Sequence, residues 1–186
     1  MKFNRLLNIA IIISFCLTLF SCENNIQQIN RITSKNSLPD LSVENVETFY
    51  SDSGIIKAKL IAPLVNQYNS EDKNFTEFPK GIIAISFDDS LKENANITAN
   101  YAKYLPAKRV WEYRGDVKVK NPKGDILKTE LLFADEKTEK LYTDQFVRIA
   151  FASGSQMQGS GFDSNLNFTK YNFSKPVGVW EMGNEK

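Results

Sequence analysis

The stretch VWEYRGDVKV, Val110 to Val119, alternates strictly. Its odd positions are Trp111, Tyr113, Gly115, Val117 and Val119, and the even ones between them are Glu112, Arg114, Asp116 and Lys118. Successive side chains of a strand point to opposite faces, so this segment presents one apolar face and one charged face, as a half-buried antiparallel strand does. The tripeptide Arg114-Gly115-Asp116 would suit receptor adhesion only at a displayed loop tip. The alternation instead places it inside a strand, with Arg114 and Asp116 on the polar side, which argues against adhesion.

The same parity runs on through Leu127, Thr129, Leu131 and Phe133, then Leu141, Thr143, Val147, Ile149 and Phe151, then Met157, Tyr171, Phe173, Val177 and Val179; upstream it includes Ile97, Ala99 and Tyr101. An interval of thirty separates Trp111, Leu141 and Tyr171, and again Val117, Val147 and Val177, Val119, Ile149 and Val179, and Leu127 and Met157. Thirty residues hold two strands of about ten residues and two turns, so each unit is a hairpin and the chain is a meander.

Turn residues fall where hairpins require them: Leu105-Pro106-Ala107-Lys108, Asn121 to Asp125, Asp135 to Thr138 and Ala152 to Ser155, with earlier candidates at Ser53-Gly54, Asn69 to Asn74, Pro79-Lys80-Gly81 and Asp88 to Asn94. About nine to eleven strands are expected between Val43 and Trp180, with no long amphipathic helix. So long a sheet must turn its apolar face onto itself, as a barrel, a sandwich or a folded sheet open along one side. Gly159 and Gly161 mark a bulge or a close backbone approach.

The N-terminus reads as an export signal over 1–21: Lys2 and Arg5 precede an apolar run from Leu6 to Phe20, too short for a span of about 20 residues. It ends in Leu19-Phe20-Ser21-Cys22, which resembles a bacterial lipobox, with Cys22 as the lipidated first residue of the mature chain and Phe20 larger than usual for its place. A polar, Asn- and Gln-rich linker over 22–42 then leads to a β domain over 43–182 and a short tail, 183–186. With Cys16 discarded and Cys22 blocked, no thiol is left for a disulfide.

Removing the signal takes two of 23 basic residues and none of 22 acidic, which turns a net charge of +1 into −1. That balance excludes a nucleic-acid partner. The chain has no histidine, so the usual triads and most zinc sites are absent, and no catalytic residue, metal or cofactor is expected. The acidic pairs Asp88-Asp89 and Asp135-Glu136 lie in turns, where solvated acids are the norm. A lipoprotein module that binds carbohydrate or peptidoglycan, with Trp111, Tyr113 and Tyr171 as a stacking platform, is one function open to such a chain.

The segment from Ala99 to Ile149, with Gly115-Asp116-Val117-Lys118-Val119, Gly124 to Leu132 and Thr143 to Ile149 in that order and followed by MQGSGFDS, resembles the LptC family of lipopolysaccharide export. Tyr50 to Tyr68 looks like its first hairpin. The resemblance implies a non-enzymatic lipid conduit: a folded, twisted antiparallel sheet, of the β-jellyroll or taco kind, whose apolar interior shelters acyl chains. Exposing such chains to water costs about 0.8 kcal/mol per methylene. The inward parity set then supplies the groove candidates Tyr101, Trp111, Tyr113, Val117, Val119, Leu131, Phe133, Leu141, Val147, Ile149, Met157, Tyr171 and Phe173, although the same residues would equally fill a core. The resemblance further implies lipopolysaccharide as cargo, the permease subunits of an inner-membrane ABC transporter at the N-terminal edge, an LptA/OstA-like bridge protein at the C-terminal edge, and a place on the periplasmic face of the inner membrane. Many members carry a transmembrane helix where this chain has its lipobox.

Overall fold

Alternation, interrupted by short Pro-, Gly- and Asn-containing turns, makes the described residues almost wholly strands and the turns between them. The computed structural model describes residues 38–70 and 72–179; the leader, Cys22, most of the linker and the 183–186 tail lie outside the described residues. The strands are β1 (Leu41–Asp52), β2 (Ile55–Ser70), β3 (Lys73–Phe78), β4 (Ile82–Phe87), β5 (Glu93–Ala99), β6 (Tyr101–Leu105), β7 (Val110–Lys120), β8 (Ile126–Asp135), β9 (Lys140–Ala150), β10 (Gln156–Asn165) and β11 (Tyr171–Val179). All belong to one antiparallel sheet.

Two of the hairpin arms are broken in the middle. β3 and β4 both pair with β2, and β5 and β6 both pair with β7, so each couple is one long strand bent at its centre. The turn expected at Pro79-Lys80-Gly81 is therefore a bend within a continuing strand. Gly81 has φ +94, and a Cβ there would sit 3.0 Å from the Ala99 carbonyl oxygen, so the bend needs glycine. Pro63 stands in β2 where the partner strand passes from β3 to β4 and, among the described residues, nothing pairs with it on that side, which is where a missing N–H is tolerated.

The other strands bend along the same line. β7 carries Gly115 at φ +73 and Asp116 at φ +45, and the ladders shift register between Arg114 and Val117, between Lys128 and Phe133, and between Ser160 and Phe162. The Arg114-Gly115-Asp116 tripeptide is thus mid-strand as expected, at a bulge that folds the sheet. Thr129 keeps this crease satisfied: its buried hydroxyl donates to the Phe146 carbonyl at 3.0 Å.

Folding along the crease brings the two halves of the sheet face to face. One half carries an unbroken inward row, Thr48, Leu60, Ala84, Ile97, Val119, Leu127, Ile149, Met157 and Gly178, each opposite the next. The other half carries Leu41, Gln67, Thr76, Tyr104, Trp111, Ala134, Leu141, Ser164 and Tyr171. Asn121, in the β7–β8 turn, donates its Nδ2 to the carbonyl of Phe168 at 3.0 Å. Phe168 lies in the β10–β11 turn, at the opposite ends of the strands, so this bond closes one half of the sheet onto the other.

The crease also corrects the parity. Between inward Thr129 and inward Leu132 lie two residues, which flips the second half of β8: Leu132 and Ala134 face in, whereas Leu131 and Phe133 face out. Phe133 stacks on outward Tyr142 at 5.3 Å. The break at Asn100 does the same to Tyr101, which pairs with outward Arg114 while Ala102 turns in. In β11, Val177 lies outward and 55% exposed, because β10 flips between Gly159 and Phe162.

The thirty-residue echo holds best in the turns. Arg109 and Glu139 adopt φ +57 and +56, and Gly124 and Gly154 φ +89 and +91. The repeated hairpins β7–β8 and β9–β10 thus share their backbone as well as their pattern.

Candidate functional site

The interior is closed at one end and open at the other. In β7 to β9 the facing rows are sealed: Val117, Val119, Leu127, Leu132, Leu141 and Val147 are fully buried, and Ile149 nearly so. At the β10–β11 end Phe168 plugs the gap with its ring 6.0 Å from Phe162 and 5.6 Å from Tyr171, and Phe173 meets Phe162 at 5.5 Å. Burial raises the Tyr171 phenol above its usual range, with Asp125 adding to the shift.

Toward β1 the halves part. An apolar cavity of about 250 Å³ lies between them, lined by Val46, Thr48, Leu60 and Ala62 on one side and Val65, Thr76, Phe78, Tyr104 and Trp111 on the other. Inward-facing side chains become progressively exposed beyond it: Val43 is 40% exposed, Leu41 52% and Tyr50 63%. A sheet that buries every inward residue at β8 and leaves them open at β1 forms a groove with one mouth, at the β1 edge.

An aromatic wall runs along the cavity, on the half that carries β3, β6 and β7. Trp111 lies 4.6 Å from Tyr104, 5.7 Å from Phe78 and 6.0 Å from Tyr113. Glu136, in the β8–β9 turn, gathers the polar ends: it accepts from Trp111 Nε1 at 2.9 Å, from Arg109 Nε at 3.3 Å and from the Tyr104 hydroxyl at 3.5 Å. Burial first, and the Glu136 carboxylate second, raise the Tyr104 phenol. Buried indole and phenol groups need such partners, and this carboxylate supplies them without placing a polar group in the cavity.

A larger cleft, about 540 Å³, opens at the crease beside the outward row Glu47, Ile61, Ile83 and Thr98, with Lys80, Asn100 and Asp116 also on its walls. Its lining mixes charged, amide and apolar groups. The smaller cavity is the more uniformly apolar of the two.

Of the residues expected to line a groove, Trp111 borders the open cavity. Tyr113, Val117, Val119, Leu141, Val147 and Ile149 face inward but are packed as core, and Met157, Tyr171 and Phe173 face inward at the closed end. Tyr101, Leu131 and Phe133 are on the outer face. The cavity residues that the pattern missed, Val46, Thr48, Leu60, Val65, Phe78 and Tyr104, lie in strands that precede the thirty-residue repeat or adjoin the Asn100 break. Their signal was the local alternation Leu60, Ala62, then Val65 past Pro63.

The acidic pairs are turn chemistry. Asp88 accepts from the Ser90 and Lys92 amides and Asp89 pairs with Lys57. Asp135 accepts from the Thr138 and Lys137 amides, which hold its carboxyl below the usual range. A surface stacking platform is not formed by Trp111, Tyr113 and Tyr171, since all three turn inward and Tyr113 is 4% exposed.

A family model described as "Lipopolysaccharide-assembly, LptC-related" matches residues 7–177. The chain belongs to that family. Membership makes it a component of the lipopolysaccharide transport bridge, associated with the periplasmic side of the inner membrane, in a family of transport proteins and not of enzymes. A search of curated proteins finds no match.

Proposed function

We propose that the mature protein, held to the inner membrane through acylated Cys22, receives lipopolysaccharide from the permease subunits of the ABC transporter at its β1 edge and hands it to an LptA/OstA-like protein at its β11 edge. The acyl chains enter the cavity between Leu60 and Trp111 while the saccharide stays in water. The observation that carries this is the one-sided groove: apolar, bounded by both halves of the sheet, and opening at the first strand. Each methylene withdrawn from water gains about 0.8 kcal/mol, so even partial insertion of a chain holds the lipid.

Both terminal strands suit a relay by strand addition. Among the described residues β1 pairs with β2 alone and β11 with β10 alone, so each has a second row of backbone groups that a further strand would use. Pro176 removes one N–H from β11, which favours pairing along its first half, Tyr171 to Lys175. Several acyl chains on Cys22 would anchor the protein stably where one would not.

The test is retention of lipopolysaccharide by the purified mature protein in gel filtration. Leu60→Asp, which puts a charge in the cavity, abolishes co-elution, and Lys118→Asp on the outer face leaves it intact. Retention that survives Leu60→Asp, or that fails equally in both variants, would refute the groove.

A further inference from the structure

We propose that Glu136 is a positioning residue of the groove: its carboxylate fixes the Trp111 indole as a flat wall of the cavity, against which an acyl chain packs. This rests on the reading of the groove as an acyl site, and concerns how the site is kept open.

Trp111 and Tyr104 line the cavity, and their polar atoms point away from it to one shared acceptor. Glu136 reaches that place because its turn is tied to the neighbouring one, the Glu136 amide donating to the Arg109 carbonyl at 3.0 Å. The Arg109 guanidinium, at 3.3 Å, neutralises the carboxylate from the solvent side. With the acceptor removed, the indole N–H has no partner at that site and must turn toward water or into the cavity. Either movement takes away the wall. The arrangement is local to that wall: the bonds of Glu136 go to Trp111, Tyr104 and Arg109.

The experiment uses the full mature chain with Trp180→Phe, so that Trp111 is the single tryptophan, titrated with dibrominated stearic acid, whose bromines quench indole fluorescence on contact. The reference protein shows saturable quenching. Glu136→Ala weakens the apparent affinity about tenfold, as expected for losing one hydrogen bond to a charged group, and shifts the Trp111 emission. Glu136→Gln, which retains an acceptor for the indole, recovers most of the binding. Circular dichroism and the melting midpoint report whether each variant is folded. Folded Glu136→Ala with unchanged affinity overturns the proposal, as does Gln behaving like Ala. Absence of quenching in the reference protein overturns the acyl reading itself, so the two failures are distinguishable.

Discussion

If the sheet is folded along its crease, Asn121 and Phe168 must be energetically coupled although 47 residues separate them. Phe168 is fully buried against Phe162 and Tyr171, so Phe168→Ala leaves a cavity and costs about 3–5 kcal/mol. Asn121 makes four bonds in a buried setting: its Nδ2 to the Phe168 carbonyl and to Asp125 Oδ2, and its Oδ1 from the Lys123 and Asp125 amides. Asn121→Ala therefore costs about 2–3 kcal/mol, most of it from groups left without partners. Once the turn has lost its plug, the Asn121 bond to it is already weakened, and the double variant should be less destabilised than the sum by about 0.5–3 kcal/mol. Urea unfolding followed by circular dichroism measures all four proteins. Since a domain of this size holds only about 5–15 kcal/mol in total, Phe168→Leu serves as a milder partner in a second cycle. Additive effects within about 0.5 kcal/mol in both cycles would refute the closed arrangement of the two halves.

The parity flip in β8 predicts that Leu132→Ala costs about 2–5 kcal/mol, whereas Leu131→Ala on the outer face costs no more than about 1; equal costs in denaturant titrations would contradict the bulge. Gly159→Ala places a Cβ 2.6 Å from the Lys175 carbonyl oxygen and 2.8 Å from the Phe173 ring. It should destabilise by about 1–3 kcal/mol and speed amide exchange in β11 while β7 to β9 stay protected. Burial, with Glu77 beside it, pushes the Tyr101 phenol from 10.0 up to about 12. The unfolded chain then loses this proton first, so stability is full below about pH 10 and falls as the pH rises toward 12. Tyr101→Phe should flatten that fall in urea midpoints taken across the range, and an unchanged slope would count against it.

How far the sequence carried depends on where the chain bends. Between Trp111 and Ile149 the alternation and the interval of thirty placed strands, turns and most inward residues correctly, because in these regular hairpins the side chains simply alternate. Leu131, Phe133, Tyr101 and Val177 came out on the wrong face for a shared reason. Each lies just past the crease, and one residue more or fewer in a bulge reverses every side chain beyond it. Of the bulge glycines, Gly159 and Gly161 carry a signal in the sequence, and Gly161 sits at the register shift of β10, whereas Gly115 reads as an ordinary strand position and lies at the bulge of β7.

The site was less legible than the fold. Pattern alone does not separate a lining residue from a core residue, and Val147 and Trp111 share one parity although only Trp111 borders the cavity. What separates them is how far the halves lie apart, which is set by Phe168 and Asn121 at one end and by the exposed β1 at the other. In the sequence Glu136 reads as a turn acid; that it accepts from Trp111 appears only once the fold sets the β8–β9 turn beside that indole.

The central claim is that acyl chains occupy the β1 end of the interior. A photocrosslinking amino acid placed in living cells at Leu60, Val65 and Trp111 in the cavity, at Val147 in the sealed core, and at Lys118 and Lys128 on the outer face tests it most directly. Lipopolysaccharide adducts are expected at the three cavity positions and none at the other three. Adducts on the outer face as abundant as those at Leu60 and Trp111, or adducts at Val147 with none at Leu60, would contradict it.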